Sequence, residues 1–436
     1  MRVAITSHGC RLNHFEGDAM GRLAAQAGHE LVDLAAAPDV VVVNTCTITH
    51  DADADARQAI RRIARRWPAA RIVATGCYAN GDPAALEALP GVAAVVGNRE
   101  KDRWLDLLEA ARPGKVDVAV GELSRRVRLA RLQPAIERRR SRALLKIQDG
   151  CNYRCAFCIV PQVRGRSTSV EPERLAAQLR EVVEAGAPEV VLTGVHLGTY
   201  GWDLRPRSGL RELLERLLRE VPTARLRLGS LDPHELDDPL LELLATQPRI
   251  CRHLHLPLQS GDPEVLRRMR RVHRVHEIER QVPRAVAAIP GVAIGTDLIV
   301  GFPGEDARAF ANTYALLEAL PIAYAHVFSY SVRAGTEAAQ MPEQVEPGVK
   351  AERSRRLREL SQRKWAAFAR AAIGARARAV VHRGRDRQSG DLVALTDNYI
   401  RVQVPGDDAL FGRLVELEIR SVDAEGRVAG AIVAGA

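Results

Sequence analysis

The sequence predicts an α/β protein in three parts: an N-terminal open parallel α/β domain, a central complete or partial β/α barrel, and a small antiparallel β-barrel at the C-terminal end. Three observations carry this reading. Near the N-terminus, Val3-Ala-Ile-Thr-Ser-His-Gly-Cys10, Val40-Val-Val-Val-Asn-Thr-Cys46 and Arg71-Ile-Val-Ala-Thr-Gly-Cys77 are short apolar runs that each end in cysteine, with helical patterns between them. From about residue 143, six or more strand–helix units follow within about 190 residues, as a β/α barrel requires. Beyond Gly374, five short stretches alternate apolar and polar residues between turn signals.

The elements follow in order. The first domain is read over 1–115, with helices at roughly 14–28 and 51–66, a strand in Pro90-Gly91-Val-Ala-Ala-Val-Val-Gly97 and a helix near 99–112. Residues 116–140, after Pro113-Gly114, lose periodicity and read as a basic linker. They run into Glu137-Arg-Arg-Arg-Ser-Arg142, either a solvated face or a phosphate-facing edge. The barrel domain, with a trailing basic helix, spans 141–370. Its strands are expected at 143–148, 189–193, 225–230, 253–258, 293–300 and 323–329, and its helices at 171–186, 208–220, 235–246, 262–289 and 305–319. The last domain, 371–436, is of a kind that binds oligonucleotides or caps a fold.

Composition sets bounds. At 436 residues, with 46% hydrophobic and 27% charged residues, the chain is ordinary globular protein with room for two or three cores. A net charge of +9 leans toward an anionic partner such as nucleic acid. Nearly all the basic residues are Arg, which suits bidentate phosphate contacts but also follows from a GC-rich genome. The sequence shows no signal peptide, lipidation motif or long apolar run, and its thiols are unpaired; this predicts a soluble cytoplasmic protein with no membrane partner.

The chemistry sits in the cysteines. Cys151, Cys155 and Cys158 place three thiols on one short loop. Structural zinc takes four ligands, usually from two separated pairs, whereas three cysteines suit an iron–sulfur cluster with one open iron; a zinc knuckle is the alternative. Cys10, Cys46 and Cys77 end parallel strands, so all three converge on one edge of the sheet and form a second triad. Cys251 is left over and reads as a small buried apolar residue. Glycine and polar residues mark the C-terminal ends of the barrel strands: Thr193-Gly194-Val-His196-Leu-Gly198, Gly229-Ser230-Leu-Asp-Pro, Pro257-Leu-Gln259-Ser260-Gly261 and Asp297-Leu-Ile-Val-Gly301-Phe-Pro-Gly304-Glu305. At such ends a backbone approaches a cofactor closely and helix N-termini offer free donors.

With both triads, Asn44-Thr-Cys46-Thr, Thr75-Gly-Cys77-Tyr, Asp149-Gly-Cys151-Asn, Val163-Arg164-Gly165-Arg166-Ser, Gln259-Ser-Gly261 and Asp297-Leu-Ile-Val-Gly-Phe-Pro-Gly-Glu305, the whole chain resembles the methylthiotransferase family of radical S-adenosylmethionine (SAM) enzymes. Lys146-Ile-Gln-Asp-Gly-Cys151, His253-Leu-His-Leu-Pro-Leu-Gln-Ser-Gly261 and Met269-Arg-Arg271 look most like the branch that modifies N6-threonylcarbamoyladenosine in tRNA. Ser7-His8-Gly-Cys10 departs from the Thr-Leu-Gly-Cys of that family. The resemblance implies a radical SAM barrel, a terminal TRAM domain and two 4Fe–4S clusters. The Cys151/Cys155/Cys158 cluster binds and cleaves SAM, and the Cys10/Cys46/Cys77 cluster carries sulfur.

It further implies SAM contacts from Phe157, near the adenine, and from the strand-end residues Gly194, Ser230, Gln259 and Gly301, with no catalytic side chain beyond the cluster ligands. SAM serves as both radical source and methyl donor. The implied partners are the tRNA anticodon stem-loop, an electron donor of reductase or flavodoxin type, and a sulfur source. The terminal barrel is expected to serve tRNA affinity and leave the chemistry alone. The alternatives are the branches acting on N6-isopentenyladenosine or on a ribosomal-protein aspartate and, from another class, a non-catalytic metal-bound RNA-binding protein.

Overall fold

The computed structural model describes residues 1–110, 115–123, 129–135 and 140–435. The N-terminal part is built from β1 (Arg2–Ser7), α1 (Arg11–Gln26), β2 (Glu30–Leu31), β3 (Val40–Thr45), α2 (His50–Arg66), β4 (Arg71–Gly76), α3 (Cys77–Gly81), α4 (Pro83–Glu87), β5 (Val92–Val96), α5 (Trp104–Ala110) and β6 (Asp117–Ala119). Its parallel sheet has the order β2-β1-β3-β4-β5-β6. Val40 to Val43 are fully buried because helices cover both faces, which is why that strand reads as an unbroken apolar run. Thr49 caps α2 by accepting the Ala52 N–H, and Asp51 and Asp53 lie in its first turn, where the helix dipole favours them.

One expectation needs correction here. Residues 117–119, read as part of a basic linker, form the edge strand β6 beside β5. Three residues are too short for periodicity to register. In the basic run, residues 137–139 lie outside the described residues, as do 111–112 at the end of the expected helix and Pro113-Gly114. The described ends of that run are engaged in ion pairs: Arg140 with Asp18 at 2.6 Å and Arg142 with Glu189 at 3.4 Å.

The central part alternates strand and helix: β7 (Ala143–Lys146), β8 (Gln148–Asp149), α6 (Val160–Arg164), β9 (Thr168–Ser169), α7 (Pro172–Glu184), β10 (Val190–Thr193), α8 (Leu210–Glu220), β11 (Leu226–Leu228), α9 (Asp238–Thr246), β12 (His253–His255), α10 (Pro263–Arg268), α11 (Val275–Ala288), β13 (Ala293–Val300), α12 (Ala307–Ala319) and β14 (Tyr324–Ser329). The parallel sheets β7-β10-β11 and β12-β13-β14 meet through single bridges, Leu226 to Ile250 and Ser230 to His255, giving a six-stranded partial barrel. The helix expected over 262–289 is two helices. It breaks where Arg270 takes a positive φ of 54°, and the break turns Arg271 toward the cysteine loop.

Helix α13 (Pro347–Ala371) leads into β15 (Arg376–Arg385), β16 (Leu392–Thr396), β17 (Arg401–Val404), β18 (Leu414–Val422) and β19 (Val428–Gly435), a closed barrel in the order β15-β16-β17-β19-β18. It seals the floor of the central barrel rather than hanging free. Arg227 donates to the carbonyls of Thr396 and Asp397 at 2.9 and 3.0 Å, Arg252 pairs with Asp397 at 2.9 Å, and Tyr399 stacks on His253 with ring centroids 4.2 Å apart. Tyr399 holds a positive φ of 71°, a strained setting for an aromatic residue, and its hydroxyl accepts from Arg11, the neighbour of Cys10, at 3.1 Å. The terminal domain thus contacts both the barrel floor and Arg11.

That floor is organised by Glu189. Its buried carboxylate pairs with Arg227 at 2.6 Å, Arg142 at 3.4 Å and Arg225 at 3.5 Å, and accepts the Cys251 thiol at 3.2 Å. Cys251 is thus buried as expected but acts as a donor, and burial beside Glu189 pushes its thiol up to about 12. Burial opposes the charge on Glu189, yet Arg227, Arg142 and Arg225 hold its carboxyl down at about 2. Because the folded value lies below the ordinary one, the stabilisation is complete above about pH 4.5 and is lost as pH falls toward 2. Glu189→Gln strands the buried guanidinium of Arg227, so unfolding by urea at neutral pH should show a loss of about 3–5 kcal/mol. The variant should lose less further stability than the parent between pH 4.5 and 2.

Candidate active site

Cys10, Cys46 and Cys77 stand at the C-terminal ends of β1, β3 and β4, three adjacent parallel strands. Two glycines let the backbone pack tightly beside them. A Cβ on Gly76, at φ 103°, would lie 2.2 Å from the Thr45 carbonyl oxygen, and one on Gly9, at φ 92°, would lie 2.8 Å from Cys46 Sγ. Cys46 and Cys77 are buried while Cys10 is exposed, leaving the triad open on one side. Burial, with the neighbouring cysteines adding to it, pushes the Cys46 thiol up to about 11.

Cys151, Cys155 and Cys158 lie on the loop between β8 and α6. Cys158 is pushed up to about 12, chiefly by burial. Metal must displace protons from these thiols, and cationic neighbours aid the charged form. Arg271 supplies that help, donating to Cys155 Sγ at 3.4 Å while ion-paired to Asp232. Asp232 also accepts from His273 and His234 at 2.8 and 2.7 Å. Tyr153 reaches His234 at 3.2 Å. His196 lies 3.7 Å from Cys151 Sγ and 2.7 Å from Glu235, the second contact too bent for a hydrogen bond. Burial opposes its protonation, but Cys151 and Glu235 prevail and raise it to about 9.

The two triads are joined by a buried charge network. Arg164, at the end of α6, donates through Nε to Cys77 Sγ at 3.1 Å. Its other nitrogens reach Glu16 at 3.0 Å, Asp149 at 3.0 Å and Asn13 at 2.6 Å. Lys146 pairs with Glu16 at 2.9 Å and Asp149 at 2.6 Å, and Lys101 pairs with Glu16 and donates to Asn44 at 3.1 Å. Burial opposes the ionisation of Glu16, but Arg164, Lys101 and Lys146 hold its carboxyl well below the usual range. Three cations against two carboxylates leave one positive charge, aimed at Cys77. That excess suits an anionic thiolate-bound cluster and fits a structural apolar role poorly. Cys77 also packs against Ile159 and Val163, so α6 touches one triad while beginning two residues after the last cysteine of the other.

The remaining expected residues fall as follows. Phe157 lies in the cysteine loop, edge-on to Phe302 at 6.5 Å. Ser230 is exposed at the end of β11, and the backbone of Gln259, at φ 70°, bridges to Leu298. At Gly194 a Cβ would press on Gln148, and at Gly301 it would lie 2.3 Å from Lys350 Cγ, so both glycines make room for protein side chains. Sequence reading missed Glu16, Lys101, Glu189 and Glu235, and took Asp232 only as part of a strand-end motif. All but the half-buried Glu235 are buried, most of their partners lie far away in sequence, and only mid-helix or strand-flanking acids and bases hinted at them.

Residues 145–317 match the radical SAM superfamily, and residues 2–97 match the uncharacterized protein family UPF0004. Solved structures agree in fold: the radical SAM methyltransferase TsrM of Kitasatospora setae has a TM-score of 0.55 at 18% identity, covering 75% of this chain and 74% of that one. The central domain is therefore that of a radical SAM enzyme. Threonylcarbamoyladenosine tRNA methylthiotransferases of Bacillus subtilis and Aquifex aeolicus are 36% and 38% identical over 96% of this chain, covering 93% and 100% of theirs. A tRNA-2-methylthio-N(6)-dimethylallyladenosine synthase of Desulfitobacterium hafniense is 31% identical over 97% of this chain and 95% of its own length. The chain belongs to the radical SAM methylthiotransferases, enzymes that transfer a methylthio group with two 4Fe–4S clusters and SAM.

Arg164 provides a direct test of the network. Arg164→Met leaves Glu16 and Asp149 underpaired in a buried setting, and thermal unfolding should show a loss of about 3–5 kcal/mol. Iron analysis of the folded fraction should show the N-terminal triad losing metal first, because Cys77 alone of the six cysteines contacts Arg164 among the described hydrogen bonds.

Proposed function

We propose that this chain adds a methylthio group to C2 of the adenine in N6-threonylcarbamoyladenosine, next to the anticodon of tRNA. The observation that carries the reading is full-length similarity at 34–38% to methylthiotransferases of that nucleoside. In this reading Cys151, Cys155 and Cys158 hold the cluster that binds SAM, with Phe157, Gly194, Ser230, Gln259 and Gly301 along the cofactor. Cys10, Cys46 and Cys77 hold the second cluster. The clusters and SAM together supply the carbon radical, the sulfur and the methyl group that no side chain can provide.

The protein's own residues then bind, orient and exclude water. Arg271 and Arg164 offset negative charge at Cys155 and Cys77. Tyr399 and Arg227 close the barrel floor, which keeps solvent from entering beneath the reacting base. A nucleoside in a loop is turned out into such a pocket at less cost than one in a duplex. Exposed Arg383, Arg387 and Arg401 on the terminal barrel offer phosphate contacts. An electron donor of reductase or flavodoxin type and a sulfur source complete the cycle, in the cytoplasm. No helix among the described residues is long and apolar enough to cross a membrane.

Reconstituted protein should hold about eight irons, and replacing all of Cys151, Cys155 and Cys158 by Ala should leave about four and end deoxyadenosine formation. Replacing Cys10, Cys46 and Cys77 should instead stop sulfur insertion while SAM cleavage continues. The substrate is tested by mass spectrometry of tRNA nucleosides from cells lacking the gene. The 2-methylthio form of threonylcarbamoyladenosine should vanish; loss of the 2-methylthio form of isopentenyladenosine alone would transfer the assignment to the sister branch.

A further inference from the structure

The lumen of the central barrel holds a polar layer that neither cysteine triad uses. His255 on β12, Asp297 on β13 and His326 on β14 occupy three neighbouring parallel strands. Asp297 lies directly across from His326, and His255 is opposite Gly295, two residues below Asp297. His255 Nε2 approaches Asp297 Oδ1 to 3.0 Å, and His326 Nδ1 approaches the same oxygen to 3.2 Å. All three potential ligand atoms lie within 4.8 Å of one another. They converge on one oxygen of Asp297 from two neighbouring strands.

The surroundings hold that convergence in place. Tyr324 lies beside both imidazoles, with ring centroids 6.2 Å from His255 and 5.2 Å from His326. Its hydroxyl is fixed by His253 Nε2 at 2.8 Å, and His253 is in turn covered by Tyr399. Gly295 is what admits that ring, since a Cβ there would lie 2.3 Å from Tyr324 Cζ. On the opposite face of the same strands, Leu254, Ile294 and Val327 belong to the apolar core, so the polar layer faces only the lumen. His255 is nearly buried, while the His326 side chain is 54% exposed and keeps one side of the group open.

We propose that His255, Asp297 and His326 form a divalent transition-metal site in the barrel lumen, separate from both iron–sulfur clusters. Two imidazoles and one carboxylate are a donor set for first-row divalent cations that leaves coordination positions free. Metal–ligand bonds of about 2.0–2.2 Å put adjacent ligand atoms roughly 3 Å apart, as both contacts to Asp297 are. Water or oxygen groups of a molecule in the lumen fill the open positions.

Mn²⁺ is the probe of choice, because it favours carboxylate and imidazole over thiolate and leaves iron–sulfur clusters intact. Anaerobic, cluster-replete protein is titrated with Mn²⁺ while electron paramagnetic resonance follows the free ion, and metal content is measured after desalting. One Mn²⁺ per chain is expected. His326→Gln, a change at a half-exposed side chain, should weaken binding by about tenfold or more, and Asp297→Asn with His326→Gln should abolish it. Iron content and melting temperature of each variant report on folding. Should the double variant fail to fold, His326→Gln decides alone. Absence of Mn²⁺ binding up to millimolar concentration overturns the proposal and leaves ordinary imidazole–carboxylate hydrogen bonds. Unchanged Mn²⁺ affinity in a cluster-replete His326→Gln protein overturns it equally.

Discussion

The buried contact between Arg164 and its two carboxylates is the interaction on which the rest of this molecule depends. Glu16 comes from the first helix of the N-terminal domain, whereas Asp149 comes from the strand that delivers the barrel's cysteine loop. One guanidinium therefore fixes the relative position of two domains and, through Nε, addresses Cys77. Ion pairs this deep contribute little net stability compared with apolar packing, but removing one partner is expensive. That asymmetry suits a joint that must keep two domains in register.

The motif residues near the cysteines gain their meaning from this joint. Asn44, Lys146, Asp149 and Arg164 stand in short stretches around the cysteines, and each lines the network. Their neighbours in space, Asn13, Glu16 and Lys101, come from a helix interior and a single turn with no motif around them. A second charged joint, around Glu189, does the same work at the other end of the barrel, where it seats the terminal domain. Both joints bind domains through largely buried charge.

Glycines illustrate how a correct position in sequence acquires a different physical role in the fold. Gly76 and Gly9 permit tight backbone packing against Thr45 and Cys46. Gly295, in the middle of a strand and unremarked in the sequence, clears the space that Tyr324 occupies beside two lumen histidines. Gly194 and Gly301 give their space to Gln148 and Lys350. Absence of a side chain is visible in sequence; what fills the gap is decided by the partner strand or helix.

By itself the sequence determined the alternation of strand and helix, the closed barrel at the C-terminal end, and the placement of cysteines at three adjacent strand ends and on one loop. Each of these rests on local periodicity or on the rule that parallel strands end on one side. Tertiary structure alone decided that 117–119 joins the sheet, that the helix after Gly261 breaks at Arg270, and that Cys251 serves Glu189. It also brought His255, Asp297 and His326 to one point from three separate strands. The reason is common to all four. A short edge strand, a turn made for a distant partner, a buried ion pair and a shared oxygen are stabilised by groups far along the chain, and no local pattern records a contact made across the core.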